Sequence, residues 1–203
     1  MTSCLIVVDV QNDFCEKGPL TVEGSLEIIE GINREIQGDK YKYVVFTGDS
    51  HPKDHISFAC NHEGQEPFST ITDKSTGSKL DLWPAHCIQG THGAELHSDL
   101  KLPADAKIFH KGTKSQFECY SGFGNDDETD TGLQAYLKSH QVQHCYIVGL
   151  AYDYCVRATA LASIQHGYTT TIIEDLTRGV NQDNVDKFRI EFVKLGGLIT
   201  KSK

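Results

Sequence analysis

Leu5-Ile6-Val7-Val8 is a continuous apolar, β-branched run that stops at Asp9, and this pattern recurs along the chain. A short run of that kind, apolar without alternation, suits a strand buried on both faces of a parallel sheet. Comparable runs lie at Tyr43–Thr47, ending just before Asp49, and at 106–110, ending at Lys111. A fourth spans 145–148 and is closed by Gly149; a fifth covers 169–173, and Leu198-Ile199 forms a short sixth. Between them, Ile28, Ile29, Ile32 and Ile36 recur at helical spacing. So do Val156, Ala160, Ser163 and Ile164, and then Val185, Phe188, Phe192 and Leu195.

Strands alternating with helices predict an α/β fold: three layers, α/β/α, around a central, mostly parallel sheet of about six strands. The 203 residues fit one domain, 1–203. The regular alternation breaks after strand two. From Asp49 to about Asp105 there is little periodicity, and His, Pro, Gly, Ser and Asp abound. Structureless loops beyond ~15 residues are usually functional or disordered. Phe58, Phe68 and Trp83 within this one argue for an ordered, functional insertion. The acidic run Asp126-Asp127-Glu128 reads as a solvated loop.

Composition excludes several functions. A net charge of −9 without a cluster of Lys and Arg argues against nucleic acid and anionic membrane as partners. No apolar stretch approaches the roughly 18 residues a membrane span needs. The run before Asp9 is too short for a signal sequence and lacks a basic flank, and Lys201-Ser202-Lys203 is not a peroxisomal address, so a cytoplasmic chain is expected. Seven scattered cysteines without a C-x-x-C pair suggest neither a disulfide framework nor a zinc ribbon.

In open parallel sheets, ligands bind outside the carboxyl ends of the strands. Those positions here hold Asp9, Asp49 with His51, Lys111, and, one short loop past strand four, Cys155. A single strand-end carboxylate is often only the cap of the next helix. Four consecutive strands ending in reactive groups form a stronger pattern. The Cys155 sulfur is expected at or near a helix N-terminus, where free N–H groups favour a thiolate; an arbitrary cysteine in an alanine-rich helix would instead be small core packing. Asp49-Ser50-His51 can present a carboxylate and an imidazole to one ion, a donor set that suits zinc. Taken alone, a D-x-H step is more often a turn with a surface histidine. Its third ligand could be His55, His62, His86, His92 or His97, and spacing does not choose among them.

Several segments match one family in order. Val8-Asp9-Val10-Gln11-Asn12-Asp13-Phe14-Cys15, Asp49-Ser50-His51-Pro52 and His55-Ile56-Ser57-Phe58 come first. Trp83-Pro84-Ala85-His86-Cys87-Ile88-Gln89-Gly90-Thr91, Phe109-His110-Lys111-Gly112 and Tyr120-Ser121-Gly122-Phe123 follow. Gly149-Leu150-Ala151-Tyr152-Asp153-Tyr154-Cys155-Val156-Arg157 completes the set. Over about three quarters of its length the chain resembles the nicotinamidase branch of the isochorismatase-like cysteine hydrolases.

The resemblance implies an amidohydrolase that turns nicotinamide into nicotinate and ammonia through a thioester, a step of NAD salvage. It makes Asp9, Lys111 and Cys155 a catalytic triad. Asp49, His51 and His86 become ligands of one divalent metal, zinc first, with Fe²⁺ or Mn²⁺ as alternatives, and His55 is a fourth ligand, a support for the ligands, or a surface residue. A cis peptide between Leu150 and Ala151, an oxyanion hole from the N–H groups of Ala151 and Cys155, and a ring sandwich between Phe14 and Trp83 are also implied. Lys111 would otherwise be a solvated strand-end lysine, and Phe14 and Trp83 core packing. The partner would be a small molecule, with a homo-oligomer left open. The rivals are a carbamoyl-compound or isochorismate hydrolase of the same superfamily, a non-catalytic metal-binding protein on the same fold, and a redox role for Cys155. That last role lacks a resolving cysteine at C-x-x-C distance.

Overall fold

Cys4 to Val8 have no exposed surface, because the strand they form, β1 (Ser3–Val8), is flanked on both edges and covered on both faces. A computed structural model describes residues 1–202 apart from 16, 74–76 and 126–128. The acidic run Asp126-Asp127-Glu128 thus lies outside the described residues. β1 pairs in parallel with β2 (Tyr43–Asp49) on one side and with β6 (His144–Leu150) on the other. β5 (Lys107–Lys111) joins β2, while β7 (Thr169–Arg178) and β8 (Leu198–Thr200) extend the sheet beyond β6. The result is a six-stranded parallel sheet of order β5-β2-β1-β6-β7-β8.

Alternation along β1 divides the core into two layers. Cys4, Ile6 and Val8 face α2 (Leu133–Ser139), α3 (Arg157–Gln165) and α4 (Gln182–Lys194), meeting Leu137, Ala160 and Phe188. Leu5 and Val7 face the opposite way, toward Ile28, Ile29, Ile32 and Ile36 in and just before α1 (Ile29–Gln37). The α/β/α expectation therefore holds.

Several boundaries differ from the sequence reading. β2 continues past Thr47 to Asp49, because Gly48 and Asp49 pair with His110 and Lys111. Gly149 does not close β6 but lies inside it. β7 runs on to Arg178, held by pairs from Gly149 to Thr177 and Leu150 to Arg178 after a register shift. The periodicity missed α2, which buries only Leu133 and Leu137. In the insertion, β3 (Thr70–Thr72) and β4 (Lys79–Asp81) form a small antiparallel hairpin. Among the described residues no helix is long and apolar enough to cross a membrane.

Candidate active site

Strand order brings the reactive strand ends together. β1 stops at Val8, and Asp9 turns out of it with a φ of 49°, in the left-handed region. Its Oδ1 accepts a 2.6 Å hydrogen bond from Thr47 Oγ1 on β2. Asp49 ends β2 in register with Lys111, the last residue of β5. The Lys111 ammonium, buried, forms an ion pair with Asp9 Oδ2 at 2.9 Å, donates to Asp49 Oδ1, and lies 3.3 Å from Cys155 Sγ. Cys155 arrives from the other side of β1, through a π-helical turn, Tyr152–Val156, between β6 and α3. It therefore sits in the first turn of a continuous helical segment, near its N-terminus as expected. The Leu150–Ala151 peptide is cis.

The two carboxylates differ in electrostatics. Burial raises the Asp9 pKa, and Asp49 adds to the rise, while Lys111 and Thr47 oppose it. For Asp49, burial also acts upward, but Lys111 and His51 outweigh it and hold the group well below the usual carboxylate range. Lys111 feels the reverse: burial would lower it, but Asp49 and Asp9 keep its ammonium well above the ordinary value. Burial pushes the Cys155 thiol well up, with Lys111 as the countering charge. A thiol held up in this way calls for a base, and of the two carboxylates Asp9 is the one whose affinity for a proton is raised.

A second cluster shares Asp49. Its Oδ2 lies 3.5 Å from His51 Nε2 and 3.9 Å from His86 Nε2, and all three donors fall within 4.8 Å of one another. His51 Nδ1 donates to Gly112 O at 2.9 Å and His86 Nδ1 to Pro84 O at 2.8 Å. A carbonyl can only accept, so both rings carry their proton on Nδ1 and turn Nε2 toward the carboxylate. Three lone-pair donors facing one another need a proton or a cation between them, which is the arrangement of a metal site. Burial is the main force on both rings. In His51 the Asp49 carboxylate overrides it and raises the pKa, whereas in His86 burial and the His51 charge lower it to about 4.

The same geometry selects among the five candidate histidines. His51 N donates to Cys87 O, and Gln89 N to His51 O, a short ladder that seats His86 beside His51. His55 packs 4.1 Å from the His51 ring, but its Nε2 donates to Phe117 O and its Nδ1 accepts from Ser57. Both His55 nitrogens are occupied, and burial lowers its pKa to about 3. His62 bonds Ile56 O, His92 lies beside Glu95 and His97 beside Asp99. Among the described residues only His86 joins the cluster.

Above both clusters lies a cavity with Asp49, His86 and Cys155 at its floor. Phe14, Trp83, Tyr120 and Tyr154 line it with aromatic rings, and Leu20, Val22, Val180 and Ala151 with apolar groups. Trp83 Nε1 donates to Tyr120 OH at 3.0 Å, and Tyr154 meets the indole edge-on at 4.9 Å. Tyr120 and Tyr154 lay within the quoted motifs without a role. Thr47 stood outside them, and the only signal for it was a hydroxyl two residues before Asp49, on the same strand face. The arrangement suits nucleophilic attack on a flat molecule with a polar head.

The isochorismatase domain model matches residues 3–203. Nicotinamidase of Acinetobacter baylyi is 43% identical over 180 residues, 88% of this chain and 82% of that protein. The Saccharomyces cerevisiae nicotinamidase is 41% identical over 88% of this chain and 89% of its own length. Among solved structures, an Acinetobacter baumanii nicotinamidase pyrazinamidase superposes with a TM-score of 0.92 at 40% identity, covering 99% of this chain and 96% of that one. Yeast nicotinamidase bound to the inhibitor nicotinaldehyde gives 0.89 at 33%, covering 98% and 100%. Pyrazinamidase of Pyrococcus horikoshii in complex with zinc gives 0.82 at 33%, covering 99% of each.

Proposed function

Because the chain belongs to the isochorismatase domain family, we infer that it is a nicotinamidase: it hydrolyses nicotinamide to nicotinate and ammonia, with residues 1–203 as one catalytic unit. The observation that carries this reading is the meeting of a buried thiol, a lysine and a three-donor metal cluster on the floor of one aromatic-walled cavity.

In this reading Asp9 accepts the proton of Cys155 as the sulfur attacks the carboxamide carbon. Lys111 stabilises both the forming thiolate and the carboxylates around it. The N–H groups of Ala151 and Cys155 hold the tetrahedral oxyanion, a donor set in which losing one member typically costs ~100- to 1000-fold in rate. The C–N bond breaks, Asp9 returns its proton to the leaving ammonia, and a thioester to Cys155 remains. Water then attacks the thioester, Asp9 takes its proton, and nicotinate departs as the thiol re-forms. Phe14 and Trp83 sandwich the ring. A divalent cation on Asp49, His51 and His86 would supply an electrophilic anchor for the ring nitrogen; zinc is the identity we favour, from the donor set and the zinc-bound relative. Seven cysteines outside any disulfide suit a reducing compartment such as the cytoplasm.

Ammonia release from nicotinamide, pyrazinamide and benzamide tests the reading, with Cys155→Ala as the background. Nicotinamide and pyrazinamide, which keep the ring nitrogen, are expected to turn over. Benzamide, of similar shape without it, is expected to react far more slowly. Benzamide cleaved as fast as nicotinamide, or nicotinamide left intact, refutes the assignment.

A further inference from the structure

Gln11 is a fully buried polar side chain that the mechanism above does not use. Its surroundings follow from the end of β1. Once Asp9 turns away, the backbone of Asp49 on β2 has no strand beside it on that edge. The Gln11 carboxamide takes the strand's place. Asp49 N donates to Gln11 Oε1 at 2.7 Å, and Gln11 Nε2 donates to Asp49 O at 2.8 Å. One side chain thus reproduces the paired bonds that a neighbouring strand would make with this residue. The second Nε2 proton goes to Ala94 O at 2.8 Å, tying the same amide to the insertion. Gly48 allows the approach, since a Cβ there would stand 3.3 Å from Gln11 Nε2.

We propose that Gln11 is a positioning residue for the metal centre, acting through Asp49. The Asp49 carboxylate must send one oxygen to Lys111 and the other toward His51 and His86. Both directions depend on where the last residue of β2 holds its Cα. An unclamped strand end frays, and a donor that wanders loses the convergence a metal ion needs. The inference rests on the metal reading of the Asp49 cluster and is independent of the substrate.

Asn33 provides an internal comparison, because it clamps backbone in the same two-handed way at residues outside the site. Lys101 N donates to Asn33 Oδ1 and Asn33 Nδ2 donates to Asp99 O, both at 2.8 Å. Zinc affinity, measured by competition with a chromophoric chelator, and urea unfolding would be compared for the wild type, Gln11→Leu, Gln11→Glu and Asn33→Leu. Both Gln11 variants are expected to bind zinc about 10- to 100-fold more weakly, the usual effect of removing a partner that orients a ligand. Gln11→Glu keeps the shape but puts an oxygen against two carbonyls, and it supplies the reading if Gln11→Leu does not fold. Asn33→Leu is expected to lose stability and keep wild-type zinc affinity. A folded Gln11 variant with wild-type affinity, or an equal loss in Asn33→Leu, would overturn the proposal. A wild type that binds no zinc would instead remove the metal reading on which it stands.

Discussion

Asp9 and Asp49 lie within reach of one ammonium, yet their surroundings push them in opposite directions. Asp49 faces Lys111, His51 and His86 and stays charged; Asp9 has Lys111 and a threonine hydroxyl against complete burial, and its pKa rises. Two carboxylates with separated affinities for the proton can hold separate roles, one as a permanent anion and one as a base. Lys111 decides how far each moves. It is also the one charge that lowers the Cys155 thiol against its burial. Lys111→Met should therefore raise that thiol further and shift iodoacetamide labelling of Cys155 to higher pH. It should also raise Asp9, which leaves the base protonated to higher pH, and slow turnover by roughly 100-fold or more. An unchanged labelling profile would mean that Lys111 does not govern the sulfur.

The turn that carries the sulfur depends on a contact between two strands. Gly149 sits in β6 with a φ of 109°, and a Cβ there would lie 2.0 Å from Val8 O on β1. This close approach places the loop after β6 directly beside Asp9, which follows Val8. Asp153, two residues before Cys155, then accepts from Val180 N and Asn181 N at 2.9 Å and fixes the segment that brings Val180 to the cavity. Gly149→Ala combines a disfavoured dihedral with a backbone clash and should cost about 3 kcal/mol or more. Urea unfolding measures this, and a loss below 1 kcal/mol would mean that β6 can retreat from β1 freely.

The metal donors join the neighbouring pair Asp49 and His51 to His86, which lies well apart from them in sequence. Asp49 closes a core strand, His51 opens the insertion, and His86 lies on its far limb. A cation shared by the three would bind the folded arrangement and not the unfolded chain, so its removal should lower stability. Free metal at 100 times its Kd is worth about 2.7 kcal/mol, and for a chain of this size 1 kcal/mol moves Tm by about 2–4 °C. Chelation should therefore lower Tm by about 5–10 °C, with recovery on adding zinc. His51→Ala and His86→Ala should show a low Tm that chelator no longer changes. A wild type whose Tm ignores both chelator and zinc would speak against a bound ion.

Much of the site was legible in the sequence because strand ends mark themselves. A β-branched run buried on both faces must stop where a polar residue follows, and in a parallel sheet those stops share one edge. Asp9, Asp49, Lys111 and Cys155 stood out by that rule alone. Spacing could not choose His86 from five histidines, because the choice depends on a two-bond ladder between His51 and the segment at 87–89. Nor could it reveal that Lys111 touches Asp49 as well as Asp9 and Cys155. That contact arises because β5 enters the sheet beside β2, in a register that sets residue 111 against residue 49. The Gln11 clamp was hidden for the same reason, as it spans 38 residues to fill the gap left when β1 ends one residue before Asp9. Local hydrophobic pattern decides which residues end strands; only the packed order of those strands decides which ends meet.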